Sequence, residues 1–266
     1  MLAEAIAALF TGHYDLLFVP VAVPETLVRA LLSAEWGSAD DAFLSPDELE
    51  QGGAGAIPDA GNGKRWICLE AGKQVDTGVN YVPLGKSTFF EAKVEVPFLR
   101  HPLAKSTVPF TFKTVMLFSS RLMSFSSNHL TGLRSHHAVC IRTNDSYEAM
   151  DWMEIKPAAA SDAIVPEGQR WTEDLARKVL EGWWVGEHTG SSASKFTATT
   201  VEPAEPRSPL RIRLNLPALT SLPADRVKEL AGDLLAVEDN GWATFDAAGF
   251  DLSESTKMQM ASLASL

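Results

Sequence analysis

Three histidines and an arginine lie close together in the sequence, between His129 and His137. Imidazole and guanidinium groups polarise carbonyl oxygens or move protons near neutral pH, so His129, Arg134 and His136 are candidate catalytic residues. His136 and His137 are adjacent, and successive side chains in a strand point to opposite faces, so at most one of them enters a given pocket. The alternative is that these histidines lie on the surface or form structural hydrogen bonds.

Motifs that hold metals or cofactors are missing from the sequence. Zinc sites have three or four converging ligands, and no spacing of histidine, cysteine and acidic residues here matches a known metal motif. Nucleophile elbows, phosphate-binding glycine loops and dinucleotide fingerprints are also absent from the sequence. We therefore expect a site that works without a metal or another cofactor.

Charged residues alternate with apolar ones between residues 88 and 97, where Glu91, Lys93 and Glu95 share one face of a predicted strand. A carboxylate inside a barrel has a raised pKa and suits general acid–base catalysis, which makes Glu91 a candidate. The alternative, which the sequence alone favours, is a solvated outward face with Lys93 beside the two carboxylates.

Lys113 interrupts the apolar run between residues 109 and 118, on the same alternation as Val115 and Leu117. A buried lysine at this position could act as a Schiff-base nucleophile. The alternative is a lysine whose stem lies along the strand while its ammonium group reaches solvent. A pair of tryptophans at residues 183 and 184 either lines a hydrophobic pocket or closes a core.

The elements that must position these residues are mainly β-strands. Alternation of apolar and polar residues predicts strands over 14–23, 65–70, 88–97, 109–118, 136–142, 196–201 and 210–216. Helical spacing predicts helices over 1–10, 24–32, 171–184 and 224–237, with shorter ones near 45–49 and within 119–130. Strands without regular helical crossovers favour an α+β protein, with an antiparallel sheet or barrel and flanking helices, folded as one domain over residues 1–266.

The composition excludes several classes of protein. The chain has 266 residues, 45% of them hydrophobic, and a formal net charge of −11, which fits a globular protein and argues against nucleic acid or an anionic membrane as a partner. The two cysteines, Cys68 and Cys140, imply no disulfide framework, which is typical of a reducing compartment. No apolar run approaches the roughly 18 residues that a membrane-spanning helix needs, so we expect a cytoplasmic protein.

The order of these segments resembles that of the acetoacetate decarboxylase family from about residue 14 to residue 235. Residues 13–32 are similar to the family's N-terminal strand and helix, and residues 90–97 to its aromatic-Glu strand. Residues 112–118 resemble the strand before the family's active-site segment, and residues 132–137 fall where the family has Gly-aromatic-Pro-Lys-Lys. The resemblance implies a barrel-like β-structure around a largely apolar cavity with polar groups at its mouth.

The departures from the family pattern concern its amine chemistry. In the family, the first lysine of the motif forms a Schiff base with a keto substrate, and the second lowers the pKa of the first. Ser135 and His136 stand at those positions here, and Arg134 replaces the preceding proline. Because a serine cannot form an iminium with a ketone, the resemblance implies a related fold that lacks the family's lysine pair.

Other active-site positions of the family are also replaced. A glutamate that the family carries a few residues before the motif aligns with His129, and its N-terminal arginine aligns near Tyr14. Of the family's site residues, only Glu91 is retained. Hydrogen-bond donors in place of lysines would polarise a carbonyl or stabilise an enolate without a covalent bond.

The main hypothesis from the sequence is a tailoring enzyme of secondary metabolism that acts on a hydrophobic, carbonyl-containing small molecule of polyketide or terpenoid type. Non-covalent cyclisation, including closure of the Diels–Alder type, or dehydration would suit a site without a nucleophile. The alternatives are a decarboxylase or aldolase-type lyase that acts on a keto acid, with Lys113 as its amine, and a non-catalytic binding protein. Because the family tends to assemble, a homo-oligomer is also expected.

Two sets of site residues follow from this hypothesis. The expected catalytic set comprises Glu91, His129, Arg134, Ser135 and His136. The expected substrate-binding set, which supplies apolar and aromatic contacts, comprises Tyr14, Phe90, Phe112, Met116 and Trp183.

Overall fold

A computed structural model describes residues 10–79, 86–104, 107–159, 166–190 and 192–266. The helix expected over residues 1–10 therefore lies outside the described residues, except for residue 10, where the first strand begins.

The described chain forms strands β1 (Phe10–Pro24), β2 (Lys64–Val79), β3 (Ser87–Leu99), β4 (Phe110–Phe118), β5 (Ser135–His137), β6 (Cys140–Arg142), β7 (Tyr147–Ala149), β8 (Met153–Pro157), β9 (Trp183–Val185), β10 (Ser192–Asn215) and β11 (Trp242–Ser262). Its α-helices are α1 (Glu25–Leu31), α2 (Ala34–Gly37), α3 (Pro46–Gln51), α4 (Arg121–Leu130), α5 (Glu173–Leu180), α6 (Leu216–Thr220) and α7 (Ala224–Ala231). Short 3₁₀ helices cover Glu167–Gln169, Gly232–Leu234 and Leu263–Ser265.

Seven of the described strands close into a ring in the order β11, β1, β2, β3, β4, β9 and β10, with β10 paired to β11. Within this ring only the pairing of β4 with β9 is parallel. Strands β8, β7 and β6 continue the sheet from β10 as a branch, and β5 pairs with β4. The expected α+β fold, an antiparallel barrel with flanking helices, is confirmed.

Strand β3 is buried on both of its faces, which decides the position of its charged residues. Ala92, Val94 and Val96 belong to the main apolar core, together with residues of α1 and of β7. Glu91, Lys93 and Glu95 therefore point to the inside of the ring, where each is at most 2% exposed. The solvated outward face that the sequence favoured is wrong, because α1 and the branch strands cover the outside of the sheet.

A β-bulge in β4 changes which residues face the inside of the ring. The pairing of β3 with β4 shifts from Val94 opposite Val115 to Glu95 opposite Lys113, so Thr114 is an extra residue in β4. A bulge moves the side chains that follow it to the other face of the strand. Lys113 consequently leaves the alternation of Val115 and Leu117, which lie in the main core.

Several boundaries differ from those predicted by the sequence. The helix expected over 171–184 ends at residue 180, and Trp183–Val185 forms β9. The strand expected over 136–142 is divided into β5 and β6, while the two expected over 196–201 and 210–216 are parts of one strand, β10. Strand β11 was not predicted, because some of its buried positions carry small residues such as Ala243 and Ala247, which weaken the apolar alternation.

Helix α5 packs against inward-facing residues of β1 and β2. Leu175 and Val179 belong to a second apolar cluster with Leu16, Phe18 and Trp66. Within this contact, the guanidinium of Arg177 forms an ion pair with the buried carboxylate of Glu254 on β11. The helix thus separates this part of the ring from solvent.

We expect His101 to contribute to the loss of folding stability below neutral pH. Its ring lies 4.9 Å from the ring of Trp36 and 5.2 Å from that of Phe110, and its Nδ1 accepts a hydrogen bond from the backbone N–H of Leu103. Burial lowers the pKa of His101 from 6.5 to about 4. The unfolded chain therefore binds the proton first, so stability that is present above pH 6.5 is lost as the pH falls toward 4.

Urea unfolding of the wild type and of His101→Phe between pH 4 and pH 7 measures this effect. We expect a smaller loss of stability on acidification in His101→Phe, because the variant has no imidazole to protonate. His137 is exposed, so His137→Gln is the matched control. Its free energy of unfolding should change with pH as steeply as that of the wild type. An unchanged slope in His101→Phe would show that the loss arises elsewhere.

Candidate functional site

A cavity of about 100 Å³ lies inside the ring, between the inner faces of β2, β3 and β4 and helix α4. Its wall is mainly apolar, with Phe89, Met116, Phe118, Met123, Leu133, Trp184, Phe196 and Met258. The charged and amide side chains that reach this wall are those of Gln74, Glu91, Lys93 and Lys113. A mainly apolar cavity with a few converging polar groups is typical of a small-molecule site.

Two buried lysines form ion pairs beside the cavity. Lys93 Nζ lies 2.7 Å from Glu70 Oε2 and 2.9 Å from Glu91 Oε1. Lys113 Nζ forms an ion pair with Glu95 and lies 4.0 Å from Glu70 Oε1. Each of these side chains is at most 4% exposed, so the barrel interior holds a network of three carboxylates and two ammonium groups.

Hydrogen bonds and aromatic rings surround this network. Gln74 Nε2 donates to Glu91 Oε1 at 3.0 Å, and Thr77 Oγ1 donates to Gln74 Oε1 at 2.7 Å. Lys93 Nζ lies 4.4 Å from the centre of the Tyr14 ring, within the range of a cation–π contact. These contacts fix Glu91 and Lys93 in one geometry.

Glu70 and Glu95 of the network differ in their pKa. Although burial opposes ionisation, the ammonium groups of Lys93 and Lys113 lower the pKa of Glu70. Burial raises the pKa of Glu95 to about 7, and the charge of Glu70 acts in the same direction. Burial acts to lower the pKa of Lys93, but the charges of Glu70 and Glu91 outweigh it and raise this pKa. Glu95 can therefore exchange a proton near neutral pH.

Local hydrogen bonds hold α4 over the cavity. The side chain of Ser120 accepts a bond from the backbone N–H of Met123 at the start of the helix. Near its end, Asn128 bonds both backbone groups of Ser135, with Nδ2 to the carbonyl at 2.7 Å and Oδ1 to the N–H at 2.9 Å. Gly132 then turns the chain with a φ of +65°, and a Cβ there would meet the carbonyl oxygen of His188 at 2.4 Å.

The structure brings some of the expected site residues to the cavity. Glu91 and Met116 line it directly, and the ring of Tyr14 contacts Lys93. Ser135 lies one residue behind the wall, because its hydroxyl donates at 2.7 Å to Ser127 Oγ, which lines the cavity.

Besides Ser135, three expected catalytic residues do not line the cavity. Arg134 instead donates to the carbonyl oxygens of Leu219 at 2.9 Å and Ala218 at 3.1 Å, at the end of α6. His136 packs on Trp152, with ring centres 4.9 Å apart, and His129 is exposed. The turn after α4 instead directs Thr131 and Leu133 into the cavity wall.

Three expected substrate-binding residues also lie elsewhere. Phe112 packs in the main core against Trp36, with ring centres 5.7 Å apart, because it precedes the bulge on the outer face of β4. Phe90 lines a groove on the outside of the ring. Trp183 is half-buried beneath Lys195, and its neighbour Trp184 lines the cavity instead.

The sequence did not identify the partners that complete the network. Glu70 and Gln74 share the inner face of β2, and neither was a candidate. The pattern of β3 could have indicated these partners. Opposite charges alternate along one face of this strand, and its other face is apolar. If both faces of such a strand are buried, the neighbouring strands must supply compensating charges.

Comparisons with solved structures find enzymes of the expected kind across 96% of this chain. The names of two of these structures include the family that the order of segments in the sequence resembles. The chain is similar to acetoacetate decarboxylase from Legionella pneumophila, with 11% identity, 88% of that chain covered and a TM-score of 0.49. It is also similar to the enduracididine biosynthesis enzyme MppR in complex with the condensation product of pyruvate and imidazole 4-carboxaldehyde, with 7% identity, 88% of that chain covered and a TM-score of 0.49.

A third similar structure is an acetoacetate decarboxylase-like enzyme from Sphingomonas wittichii RW1, with 10% identity, 93% of that chain covered and a TM-score of 0.43. No protein-family model and no curated protein matches the sequence. At these identities the likeness concerns the fold alone, and the chemistry must be argued from the residues of this chain.

The described ranges contain neither a candidate membrane-spanning helix nor a candidate metal-binding cluster. None of their helices is both long and apolar enough to cross a membrane. The same ranges contain no group of three or more histidine, cysteine, aspartate or glutamate side chains arranged to hold a metal ion.

Proposed function

We propose that this chain is an enzyme that binds a small carbonyl compound in the cavity and reacts with it through the amine of Lys113. The observation that carries this proposal is the position of Lys113: its side chain is 4% exposed, lines the cavity and is paired with Glu95. A lysine in an apolar chamber next to a proton acceptor is the arrangement that amine catalysis needs.

The reaction begins with a proton transfer from the Lys113 ammonium to the Glu95 carboxylate. The free amine attacks the carbonyl carbon to give a carbinolamine. The proton held by Glu95 then passes to the carbinolamine hydroxyl group, which leaves as water and gives an iminium ion. The iminium withdraws electrons from a bond at the adjacent carbon, which allows a proton or a carbon fragment to leave. The enamine that remains takes up a proton at that carbon and becomes an iminium again. Hydrolysis then returns a ketone or aldehyde and the amine, so the reaction needs no external oxidant or reductant.

Lys93 has a different role in this scheme. Because Glu70 and Glu91 hold it as an ammonium ion, Lys93 is unavailable as a nucleophile. It neutralises two carboxylates that would otherwise be buried without a partner, and it thereby leaves Glu95 as the acceptor for the proton of Lys113.

Non-covalent cyclisation or dehydration of a polyketide-like or terpenoid-like carbonyl compound is the second candidate. The observation that favours it is Trp184, whose indole N–H is buried without a hydrogen-bond partner in the described part of the chain and whose ring lines the cavity. This donor could polarise a carbonyl oxygen where His136 and Arg134 do not reach. The cavity volume of about 100 Å³ suits a compact carbonyl compound better than a long folded polyene.

Borohydride trapping distinguishes these candidates. The protein is incubated with small ketones such as butan-2-one, reduced with sodium borohydride, and examined by intact mass and peptide mapping. We expect one stable adduct on Lys113. If the ketone raises the melting temperature but leaves no adduct on Lys113, the non-covalent candidate is favoured, and binding of reactive carbonyl compounds without turnover would indicate a binding protein.

A further inference from the structure

We propose that the cavity selects uncharged carbonyl compounds and excludes those that carry a carboxylate. This inference deepens the proposed function and rests on it, since it defines the substrate class of the same cavity. The substrate is then a ketone or an aldehyde without a carboxylate. The bond that breaks next to its carbonyl carbon is therefore not the bond to a carboxylate group.

The first observation is that the part of the cavity wall that the structure describes offers no free cation. Among the described residues of its wall, the basic side chains are Lys93 and Lys113. Lys93 contacts the carboxylates of Glu70 and Glu91, and Lys113 contacts that of Glu95. A substrate carboxylate would therefore have to compete with a fixed, buried glutamate for each ammonium group.

The second observation is the balance of charge. Three carboxylates face two ammonium groups in the barrel interior, and all five side chains are buried. A ligand carboxylate would add a negative charge to a network that already has more acids than bases. Buried charges without a partner are strongly unfavourable, because the low dielectric of the interior does not replace their hydration.

The third observation is the kind of polar group that remains free. Trp184 Nε1 has no hydrogen-bond partner among the described residues, and the centre of its ring lies 5.3 Å from Lys113 Nζ. An indole N–H is a donor only, so it matches a neutral carbonyl oxygen close to the reacting amine. The remaining wall is largely aromatic and methionine-rich, which suits the apolar part of such a compound.

The test uses two probes of similar size whose ketone groups have similar surroundings. One is 5-methylhexan-2-one, and the other is 4-oxopentanoate, in which a carboxylate replaces the terminal branched group. Each is incubated with the wild-type protein at equal concentration and pH 7, then trapped with borohydride. We expect the neutral probe to give at least about tenfold more adduct on Lys113, which corresponds to a difference of about 1.4 kcal/mol.

Two variants separate this selectivity from a general loss of function. Glu91→Gln removes one carboxylate, and the network then tolerates an added negative charge. The amount of adduct from the neutral probe, divided by that from 4-oxopentanoate, should therefore fall. Trp184→Phe removes the N–H donor and should weaken trapping of both ketones, while their ratio remains unchanged.

The outcomes distinguish the two proposals. Equal or greater trapping of 4-oxopentanoate on Lys113 overturns the selectivity and leaves the amine mechanism intact. If neither probe gives an adduct on Lys113, the amine mechanism fails, and the melting temperature with each probe then decides the selectivity. In that case, a greater rise in melting temperature with the neutral ketone supports the preference for uncharged compounds. A greater rise with 4-oxopentanoate, or no rise with either probe, overturns this preference.

Discussion

Replacement of Lys93 by methionine is expected to lower the free energy of unfolding by about 3–5 kcal/mol, the usual effect of removing one partner from a buried ion pair. The loss arises because Glu70 and Glu91, at 2.7 Å and 2.9 Å from Lys93 Nζ, would remain buried without their ammonium partner. Methionine retains most of the side-chain volume, so the change tests charge more than packing. Urea unfolding at pH 7 measures it.

Two further variants identify the cause of this loss. Lys156→Met removes an ammonium group that is 55% exposed and paired with Glu154, so its effect should stay within about 1 kcal/mol. The double variant Lys93→Met/Glu91→Gln should recover part of the stability, because one uncompensated charge is removed with its partner. A loss in Lys93→Met as small as that in Lys156→Met would contradict the ion-pair network.

Replacement of Lys113 by arginine is expected to abolish the borohydride-trapped adduct. Arginine keeps a positive charge opposite Glu95, and the change therefore preserves the charge balance of the barrel interior. Its guanidinium remains protonated and cannot act as an amine nucleophile. Intact mass after trapping with butan-2-one measures the result, and circular dichroism establishes that the variant is folded.

A lysine outside the cavity is the control for this prediction. Lys195 lies over the ring of Trp183 and does not line the cavity, so Lys195→Arg should retain the adduct. Persistence of the wild-type amount of adduct in Lys113→Arg, with peptide mapping to Lys93, would assign the reactive amine to the other buried lysine. Complete loss in both variants would show that trapping depends on general properties of the protein.

The sequence predicted most of the wall of the barrel but few residues of its interior. Alternation identified β1, β3 and β4, and the order of segments indicated the resemblance in fold. Of the candidate residues, Glu91 and Met116 line the cavity, because their strands were predicted correctly and their side chains face inward. His136 and Arg134 were chosen from a cluster in the sequence, and closeness in sequence does not determine where a turn directs its side chains.

The amino-acid sequence by itself determined that β3 has an apolar face and a charged face, and that Lys113 interrupts an apolar strand. Only the tertiary structure decided that the charged face lies inside the ring, because that depends on α1 and the branch strands that cover the other face. It also placed Lys113 in the cavity through the extra residue at Thr114, which alternation along one strand does not reveal. A strand's period is a local property, whereas the side of the sheet that faces water is set by distant segments of the chain.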